Sequence, residues 1–326
     1  ARAGEDKSTG LRGHPSGYFP NPSVRGRIAA GDSLMSIKLA PLQGSPFGVQ
    51  GETQAALEAD TTGLVLLRKA FDEHGLIVLR GRTLSMGEQL DICRIFGPVV
   101  EDSPWENFII SNTRSDGFLG AQQLLWHNDL AYLPVPYIGG SLHALEVADD
   151  ATTTHFASGA LAWDKLPQNL RERISGRTAL HVKQKVFDRP NRLTDLDPGD
   201  VAAVHAVVRQ HRATDRPYLF VSEDLTDSVI GLDRRDSDAL LADLFACLYA
   251  RGQTYEHRWH TGDLVIWDNE VVQHARGEIS NEPRTLQRAS IARLGYAQMY
   301  PSDLGIYGDQ YDKTLADGTG AAAPVA

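Results

Sequence analysis

Short apolar runs separated by Gly, Pro and Asp residues dominate the middle of the chain, and a few longer segments have helical periodicity. The run Leu76–Leu79 predicts a buried strand, and the segment before it, Leu64–His74, predicts a helix that ends at the following glycine. Ser85–Glu88 has the spacing of a capping box, and Gly97–Pro98 ends the helix that it begins. The strongest amphipathic pattern, with leucines on one face, predicts a helix over Asp236–Arg251.

Strands are predicted for most of the remaining apolar segments. They cover Phe108–Ser111, Ser141–Val147, Thr178–Val186, Tyr218–Ser222, Tyr255–Trp259, Leu264–Trp267 and Ala289–Leu294. Many short strands with frequent turn residues favour a sandwich or a barrel. The predicted fold class is therefore mainly β, with helices covering one β core.

Length and composition limit the domain organisation. The chain has 326 residues, of which 42% are hydrophobic, and this is enough for a substantial core. Residues 1–32 are rich in Gly and charged residues and have no periodicity, so they predict a flexible N-terminal tail. Residues 301–326 predict a C-terminal tail, and residues 33–300 remain as a single folded domain.

Charge, hydropathy and cysteine content predict a soluble protein of the cytoplasm. The net charge of −10 and the pI near 5.5 argue against nucleic acid as a general partner. No apolar run approaches the roughly 18 residues of a membrane helix, and the N-terminus lacks the apolar core of a signal peptide. Cys93 and Cys247 are too few for a disulfide framework or a cysteine zinc site. A small-molecule substrate is the expected partner, no membrane partner is expected, and a homo-oligomer is compatible with the sequence.

The segment Trp126–Asp129 contains the first candidate metal ligands. Residues two apart in a strand point to the same face, so His127 and Asp129 could hold one metal ion together. A His-x-Asp pair is expected by chance in a chain of this composition. The pair alone therefore does not distinguish a metal site from ordinary polar residues.

His274, which follows an apolar strand ending in Asp268–Asn269, is the third candidate ligand. Two imidazoles and one carboxylate on one face form the facial triad of non-haem Fe(II) oxygenases. That triad leaves positions on the metal open for a 2-oxo acid and O2. Taken alone, His274 is more readily explained as a strand-end histidine bonded to a backbone carbonyl.

Arginines and threonines elsewhere in the chain provide groups for an acidic co-substrate. Arg284 and Arg288 follow His274, and the planar guanidinium pairs carboxylates bidentately. The hydroxyl groups of Thr152–Thr154 could donate to the same carboxylate. Surface arginines flanking a strand, and threonines on a solvated face, are the structural alternatives.

Taken in this order, the segments resemble the taurine dioxygenase family of Fe(II)/2-oxoglutarate-dependent oxygenases over roughly Ile37–Tyr296. The resemblance implies a double-stranded β-helix, or jelly roll, of cupin-like type. The matching segments are Ser36–Leu42, His74–Arg80, Phe96–Pro98, Trp126–Asp129, Leu219–Glu223, Trp267–Asn269, His274, Arg284 and Arg288.

The resemblance also implies an iron centre whose ligands are His127, Asp129 and His274. A carboxylate at position 129 implies hydroxylation, desaturation or a related oxidation, because halogenases of this chemistry have a small residue there. Thr154 and Arg284 would bind the distal carboxylate of 2-oxoglutarate. By the same resemblance, Arg288 would lie beside that carboxylate and face the substrate.

The chain departs from the family pattern just after Phe96–Pro98. Asp102 and Trp105 occupy the positions where taurine dioxygenases place a histidine and a tyrosine that help to hold the sulfonate. An acidic residue there would repel a sulfonate. Taurine is therefore predicted to be a poor substrate, and an amino-acid-derived or natural-product intermediate a better one. Ala151–Thr153, where the family has Gly-Gly-Asp, is a milder departure.

The segment Arg114–Leu125 precedes the ligand pair and contains two glycines. A lid over the site and an ordinary surface loop explain it equally well. Gln123 within it is a candidate substrate contact, and an exposed glutamine with no such role is the alternative.

The predicted function is an Fe(II)- and 2-oxoglutarate-dependent dioxygenase that uses O2 to oxidise a C–H bond of a small organic substrate and releases succinate and CO2. Two alternatives remain open at this point. One is a metal-dependent hydrolase or isomerase on a related barrel, which would not need Arg284. The other is a non-catalytic barrel that binds a small molecule.

Overall fold

The computed structural model describes residues 37–52, 61–81, 83–100, 108–295 and 299. The predicted tails, 1–32 and 301–326, lie outside the described residues, as do Asp102 and Trp105. The predictions made for these residues therefore stay predictions.

Helices lie between strands at four places in the described chain. Their bounds are α1 Thr61–His74, α2 Met86–Cys93, α3 Gly159–Lys165, α4 Gln168–Ile174 and α5 Arg234–Leu248.

Signals seen in the sequence account for the start of α2 and the end of α1. In α2 the Ser85 side chain accepts from the Glu88 N–H, and the Glu88 carboxylate accepts from the Ser85 N–H, so the predicted capping box is confirmed. Gly75 ends α1 with a φ of 70°, a value that suits glycine. The helix predicted over Asp236–Arg251 begins earlier than expected, because Asp233 caps its first turn, and it ends at Leu248.

Strands form most of the remaining regular structure. Their bounds are β1 Ala40–Pro41, β2 Val49–Glu52, β3 Leu76–Arg80, β4 Ile109–Ser111, β5 Phe118–Leu119, β6 Gly139–Val147, β7 Thr154–Ser158, β8 Thr178–Val182, β9 Ala202–Ala206, β10 Val208–Gln210, β11 Pro217–Leu219, β12 Thr226–Val229, β13 Thr254–His257, β14 Leu264–Asp268, β15 Val272–Arg276 and β16 Arg284–Ile291.

Several predicted strands differ from these bounds. The strand predicted over Thr178–Val186 ends at Val182, and the N–H groups of Lys185 and Val186 donate to the Asn191 side chain instead of to a neighbouring strand. Only the first three residues of the strand predicted over Ala289–Leu294 are strand. They form the end of β16, which pairs with β6 along its whole length and ends at Ile291.

The described strands form four sheets, of which β12-β8-β9 and β10-β11 are two, and the other two pack face to face. The larger sheet has the order β1-β2-β3-β14-β6-β16-β4-β5, and a three-stranded sheet has the order β13-β7-β15. Leu142 and Val265 of the larger sheet pack with Phe156 and Val272 of the smaller one in a single buried cluster. This arrangement is that of a jelly roll.

Helices cover the outer face of the larger sheet. Phe71 of α1 and Ile92 of α2 pack with Ile77, Ile266 and Ile291 in a second buried cluster. A third cluster joins α3, α4 and α5 to β8 and β11. In the described part of the chain, no helix is long and apolar enough to cross a membrane.

Candidate active site

His127 and His274 are joined by an isolated antiparallel bridge between distant segments. The N–H of each donates to the carbonyl oxygen of the other at 3.0 Å, and the ring centroids lie 4.2 Å apart. Nδ1 of His127 lies 2.7 Å from the Leu125 carbonyl oxygen. Because a carbonyl oxygen only accepts, Nδ1 carries the proton and Nε2 keeps its lone pair for a metal ion.

Asp129 lies in a turn that Asn269 holds. The Asn269 side-chain oxygen accepts the Asp129 N–H at 2.7 Å, and its amide nitrogen donates to the carbonyl oxygens of Asp129 at 3.0 Å and Tyr137 at 3.2 Å. The expectation that His127 and Asp129 share one face of a strand is therefore wrong in its local geometry. A bridge followed by a turn brings the two side chains together.

The three candidate ligands converge. Nε2 of His127 lies 3.8 Å from Oδ1 of Asp129, and Nε2 of His274 lies 3.9 Å from Oδ2. One ligand atom from each residue falls within 4.8 Å of the others, and all three residues are buried. Two imidazoles and one carboxylate constitute the donor set of a non-haem Fe(II) facial triad.

Electrostatics favour the protonation states that a metal ion needs. Burial alone would raise the pKa of Asp129, but Arg288, His274 and His127 together lower it to about 2, so the carboxyl group is ionised. Burial, followed by the effect of His127, holds the pKa of His274 well below its usual range, so this imidazole is neutral. A carboxylate and a neutral imidazole are the forms that bind a metal.

Arg288 lies directly beside the triad. Its Nη2 is 2.8 Å from Oδ2 of Asp129, and its guanidinium lies 5.6 Å from the centroid of the Phe108 ring. Arg288 therefore borders the three candidate ligands. Whether it binds co-substrate or substrate stays a prediction.

Thr154, Arg284 and Trp259 form a second polar group inside the barrel. Oγ1 of Thr154 accepts from Nη2 of Arg284 and from Nε1 of Trp259, each at 3.0 Å. Burial, with Arg276 nearby, lowers the pKa of Arg284 to about 9. Arg284 is 6% exposed, so the alternative that it is a surface arginine is wrong. Thr152–Thr154 are buried, so the alternative that they lie on a solvated face is also wrong.

Gln123 has a structural partner. Its side-chain amide donates to the Arg276 carbonyl oxygen at 3.0 Å, and Gln122 beside it is exposed. The guanidinium of Arg276 donates to the backbone carbonyl oxygens of Leu119, Gly120 and Gln122. These bonds hold part of the segment Arg114–Leu125, which the sequence left open as either a lid over the site or a surface loop.

Sequence reasoning missed the roles of Asn269 and Arg276. The sequence analysis noted Asn269 only as the end of the strand before His274. Its hydrogen bonds to Asp129, which lies in a turn far away in the sequence, could not be predicted. Arg276 follows His274 by two residues, and this spacing on a strand was a signal that could have found it.

A second group of possible ligands, Asp72, His211 and Asp268, lies near the outside of the larger sheet. His211 Nε2 lies 3.0 Å from Asp268 Oδ2, and Arg68 Nε lies 2.8 Å from Asp72 Oδ2. Arg212 lies 3.8 Å from the same Asp268 oxygen. Because two arginines already balance these carboxylates, we assign no metal ion to this group.

A family model described as "Taurine catabolism dioxygenase TauD, TfdA family" matches residues 37–290. The chain belongs to this family. Membership confirms the resemblance seen in the sequence and makes the protein a dioxygenase. It does not by itself assign the roles of individual residues.

Curated relatives are dioxygenases of varied substrates. The chain is 29% identical to an (S)-phenoxypropionate/alpha-ketoglutarate-dioxygenase of Sphingobium herbicidovorans, over 72% of this chain and 88% of that protein. It is 26% identical to a pentalenolactone F synthase of Streptomyces arenae, over 78% of this chain and 95% of that protein. These names favour an oxygenase over the hydrolase and the binding barrel.

Solved structures confirm the predicted fold. A crystal structure of AAD-2 in complex with Mn(II) and N-oxalylglycine aligns with a TM-score of 0.66 at 22% identity, over 79% of this chain and 98% of that one. A taurine dioxygenase from Burkholderia xenovorans aligns with a TM-score of 0.65 at 24% identity, over 79% and 91%. The fold is therefore the jelly roll of this family.

Proposed function

We propose that the protein is an Fe(II)- and 2-oxoglutarate-dependent oxygenase that oxidises a C–H bond of a small organic substrate and releases succinate and CO2. The observation that carries the proposal is the convergence of His127, Asp129 and His274, whose ligand atoms lie within 4.8 Å of one another. A buried arginine–threonine pair in the same barrel supplies a site for an acidic co-substrate.

The residues present fit an iron ion. Nε2 of His127 has a free lone pair, the His274 imidazole is neutral, and the Asp129 carboxyl group is ionised. Together they would hold Fe(II) on one face. When bound, iron with 2-oxoglutarate and O2 supplies the oxidising chemistry, while the protein orients the reactants and excludes water.

Arg284 and Thr154 would bind the carboxylate of 2-oxoglutarate that lies farther from the metal. Arg284 is buried and bonds Thr154, so its guanidinium is fixed before the ligand arrives. A charge-assisted, bidentate bond to a carboxylate is strong in a dry site. Arg288, at the edge of the triad, would neutralise charge near the metal and meet the substrate.

The substrate that we propose is an amino-acid-derived or natural-product intermediate with an apolar body. Phe108 stands against the Arg288 guanidinium, and Phe118, whose ring is 5.2 Å from that of Phe108, is 50% exposed. One relative is named for (S)-phenoxypropionate, and another is named as a synthase of pentalenolactone F. These two phenylalanines would form one wall of the substrate site.

The test is a mass-spectrometric screen of metabolites with Fe(II), ascorbate, 2-oxoglutarate and O2. We expect one class of compound to gain an oxygen atom or to lose two hydrogen atoms, with succinate released in equal amount. Omission of O2 or of 2-oxoglutarate should abolish the change. A product that forms equally without both would contradict the oxygenase and favour the metal-dependent hydrolase.

A further inference from the structure

Arg276 is a second buried arginine, and it lies near Arg284. It follows His274 by two residues in β15, so both side chains point to the same face of that strand. In the pairing of β15 with β7, Arg276 stands directly opposite Thr154. Directly opposed residues project to the same side of a sheet, so Arg276 faces the region where Thr154 accepts from Arg284.

Neither arginine has an acidic partner within the described chain. Arg276 and Arg284 are each 6% exposed, and no carboxylate of the described residues forms an ion pair with either. The Nε–H of each is buried without a hydrogen-bond partner among those residues. Buried charges are normally paired, so an anion that reaches both groups would satisfy both donors and relieve their repulsion.

The two arginines line one polar pocket. The other polar residues that line this pocket are Ser111, Asn112, Thr152 and Ser280. No acidic side chain of the described residues lines it. Hydroxyl, amide and guanidinium donors around a small volume suit a carboxylate, whose two oxygens accept about four hydrogen bonds.

Arg276 also holds a backbone segment that borders the site. Its Nη1 donates to the carbonyl oxygens of Leu119 at 3.1 Å, Gly120 at 2.9 Å and Gln122 at 2.6 Å. Leu119 has a φ of 61°, which is unfavourable for a residue with a bulky side chain. The strained turn therefore depends on this guanidinium, and Phe118 of the substrate wall precedes it directly.

We propose that Arg276 is a second arginine for the distal carboxylate of the 2-oxo acid, and that it couples the occupancy of this site to the conformation of residues 119–122. This inference rests on the proposed function. A carboxylate shared by Arg276 and Arg284 would fix the guanidinium of Arg276. The same guanidinium would then keep the turn, and with it Phe118, in place for the substrate. Arg276 is thus a positioning residue for the reaction.

The test compares two oxo acids that differ only at the far end. 2-Oxoglutarate carries the distal carboxylate, and 2-oxopentanoate has a methyl group there. Their binding is measured by calorimetry without O2, with Mn(II) in place of iron, for the wild type, Arg276→Gln and Arg276→Lys. Arg171→Gln is the matched control, because Arg171 also donates to three backbone carbonyl oxygens, those of Leu166, Trp163 and Asp164, at a distance from the site.

We expect Arg276→Gln to weaken 2-oxoglutarate binding by about 10- to 100-fold, as for the loss of a hydrogen bond to a charged group. The binding of 2-oxopentanoate should stay nearly unchanged, and Arg276→Lys should show a smaller loss confined to 2-oxoglutarate. Hydrogen exchange gives a second readout. 2-Oxoglutarate should slow exchange of the amides of residues 119–123 in the wild type and in Arg171→Gln, but not in Arg276→Gln.

The outcomes separate the inference from the proposed function. Equal losses for both oxo acids would show that Arg276 serves only the fold, and no loss for either would remove it from the site. Either result overturns the inference. If Arg276→Gln does not fold, the same comparison in Arg276→Lys decides in the same way. A wild type that binds neither oxo acid would instead contradict the proposed function.

Discussion

The side-chain amide of Asn269 binds both backbone groups of Asp129, accepting its N–H at 2.7 Å and donating to its carbonyl oxygen at 3.0 Å. Asn269 is fully buried and also donates to the Tyr137 carbonyl oxygen. Asn269 therefore fixes the turn that aims the Asp129 carboxylate at the two imidazoles. Groups that orient metal ligands are worth about 10- to 100-fold in metal affinity.

Asn269→Ala should lower both metal affinity and stability. We expect metal binding to weaken by about tenfold or more, and the free energy of unfolding to fall by about 2–4 kcal/mol, because buried backbone groups lose their partners. Calorimetric titration with Mn(II) and urea unfolding measure the two effects. Gln89→Ala is the control, since Gln89 is also buried and bonds Ser141 and Gln287 away from the triad. If metal affinity falls as much in Gln89→Ala as in Asn269→Ala, the loss reflects general destabilisation and not the orientation of Asp129.

His274→Ala should abolish metal-dependent turnover. The variant removes one of the three proposed metal ligands, and no other described side chain of the cluster replaces the imidazole. Succinate release in the presence of Fe(II), 2-oxoglutarate and substrate is the measurement, and Mn(II) binding is the second readout. His74→Ala, at the exposed end of α1, should behave as the wild type. Full activity in His274→Ala would exclude it as a required ligand, and the same test applies to His127 and Asp129.

Elements with a local cause could be predicted from the sequence, and elements with a distant cause could not. The helix after Ser85 is set by a capping box within four residues, and the apolar run Leu76–Leu79 needs only burial to become a strand. By contrast, the sequence pattern did not predict the strands β7 and β15. Their strand conformation comes from pairing with each other across more than a hundred residues of sequence.

The candidate site divides in the same way. The residue types at positions 127, 129 and 274 indicated a metal centre, because few donor sets suit Fe(II). Their geometry depends on Asn269, whose bonds to Asp129 cross 140 positions of sequence. The hydrogen bond from Arg284 to Thr154 crosses 130 positions. A single sequence shows which groups are present but not which groups meet.

Arg284→Lys should weaken 2-oxoglutarate binding more than substrate binding. Lysine keeps a charge but loses the planar fork, and hydrogen bonds to charged groups contribute about 1.5–3 kcal/mol, or roughly 10- to 100-fold in affinity. The KM for 2-oxoglutarate, measured at saturating substrate, is the test. Arg293→Lys is the control, because Arg293 pairs with Glu270 at 2.9 Å outside the barrel. An unchanged KM would contradict this role for Arg284 and leave Arg276 and Arg288 as the candidates.

His181 is a buried histidine outside the metal site and gives the protein a defined pH dependence. It is 1% exposed, and its ring lies 5.3 Å from the rings of His205 and Phe220. Burial, and then the nearby His205 and Arg209, hold the pKa of His181 well below its usual range. The folded protein therefore keeps this imidazole neutral at pH values where the unfolded chain protonates it.

We expect the free energy of unfolding to fall as the pH is lowered below about 6.5, the usual pKa of histidine in an unfolded chain. Over that range the unfolded state binds more protons than the folded state, so stability rises with pH and is lost as the pH falls, by at most about 1.4 kcal/mol per pH unit for one histidine.

His181→Gln does not titrate and keeps an acceptor for the Thr226 hydroxyl, which lies 3.3 Å from Nδ1 of His181. The variant should therefore lose less stability than the wild type between pH 6.5 and 5. Urea unfolding in the presence of a chelator measures the difference, with His260→Gln as the exposed control. Equal slopes for the wild type and His181→Gln would show that His181 does not govern this range.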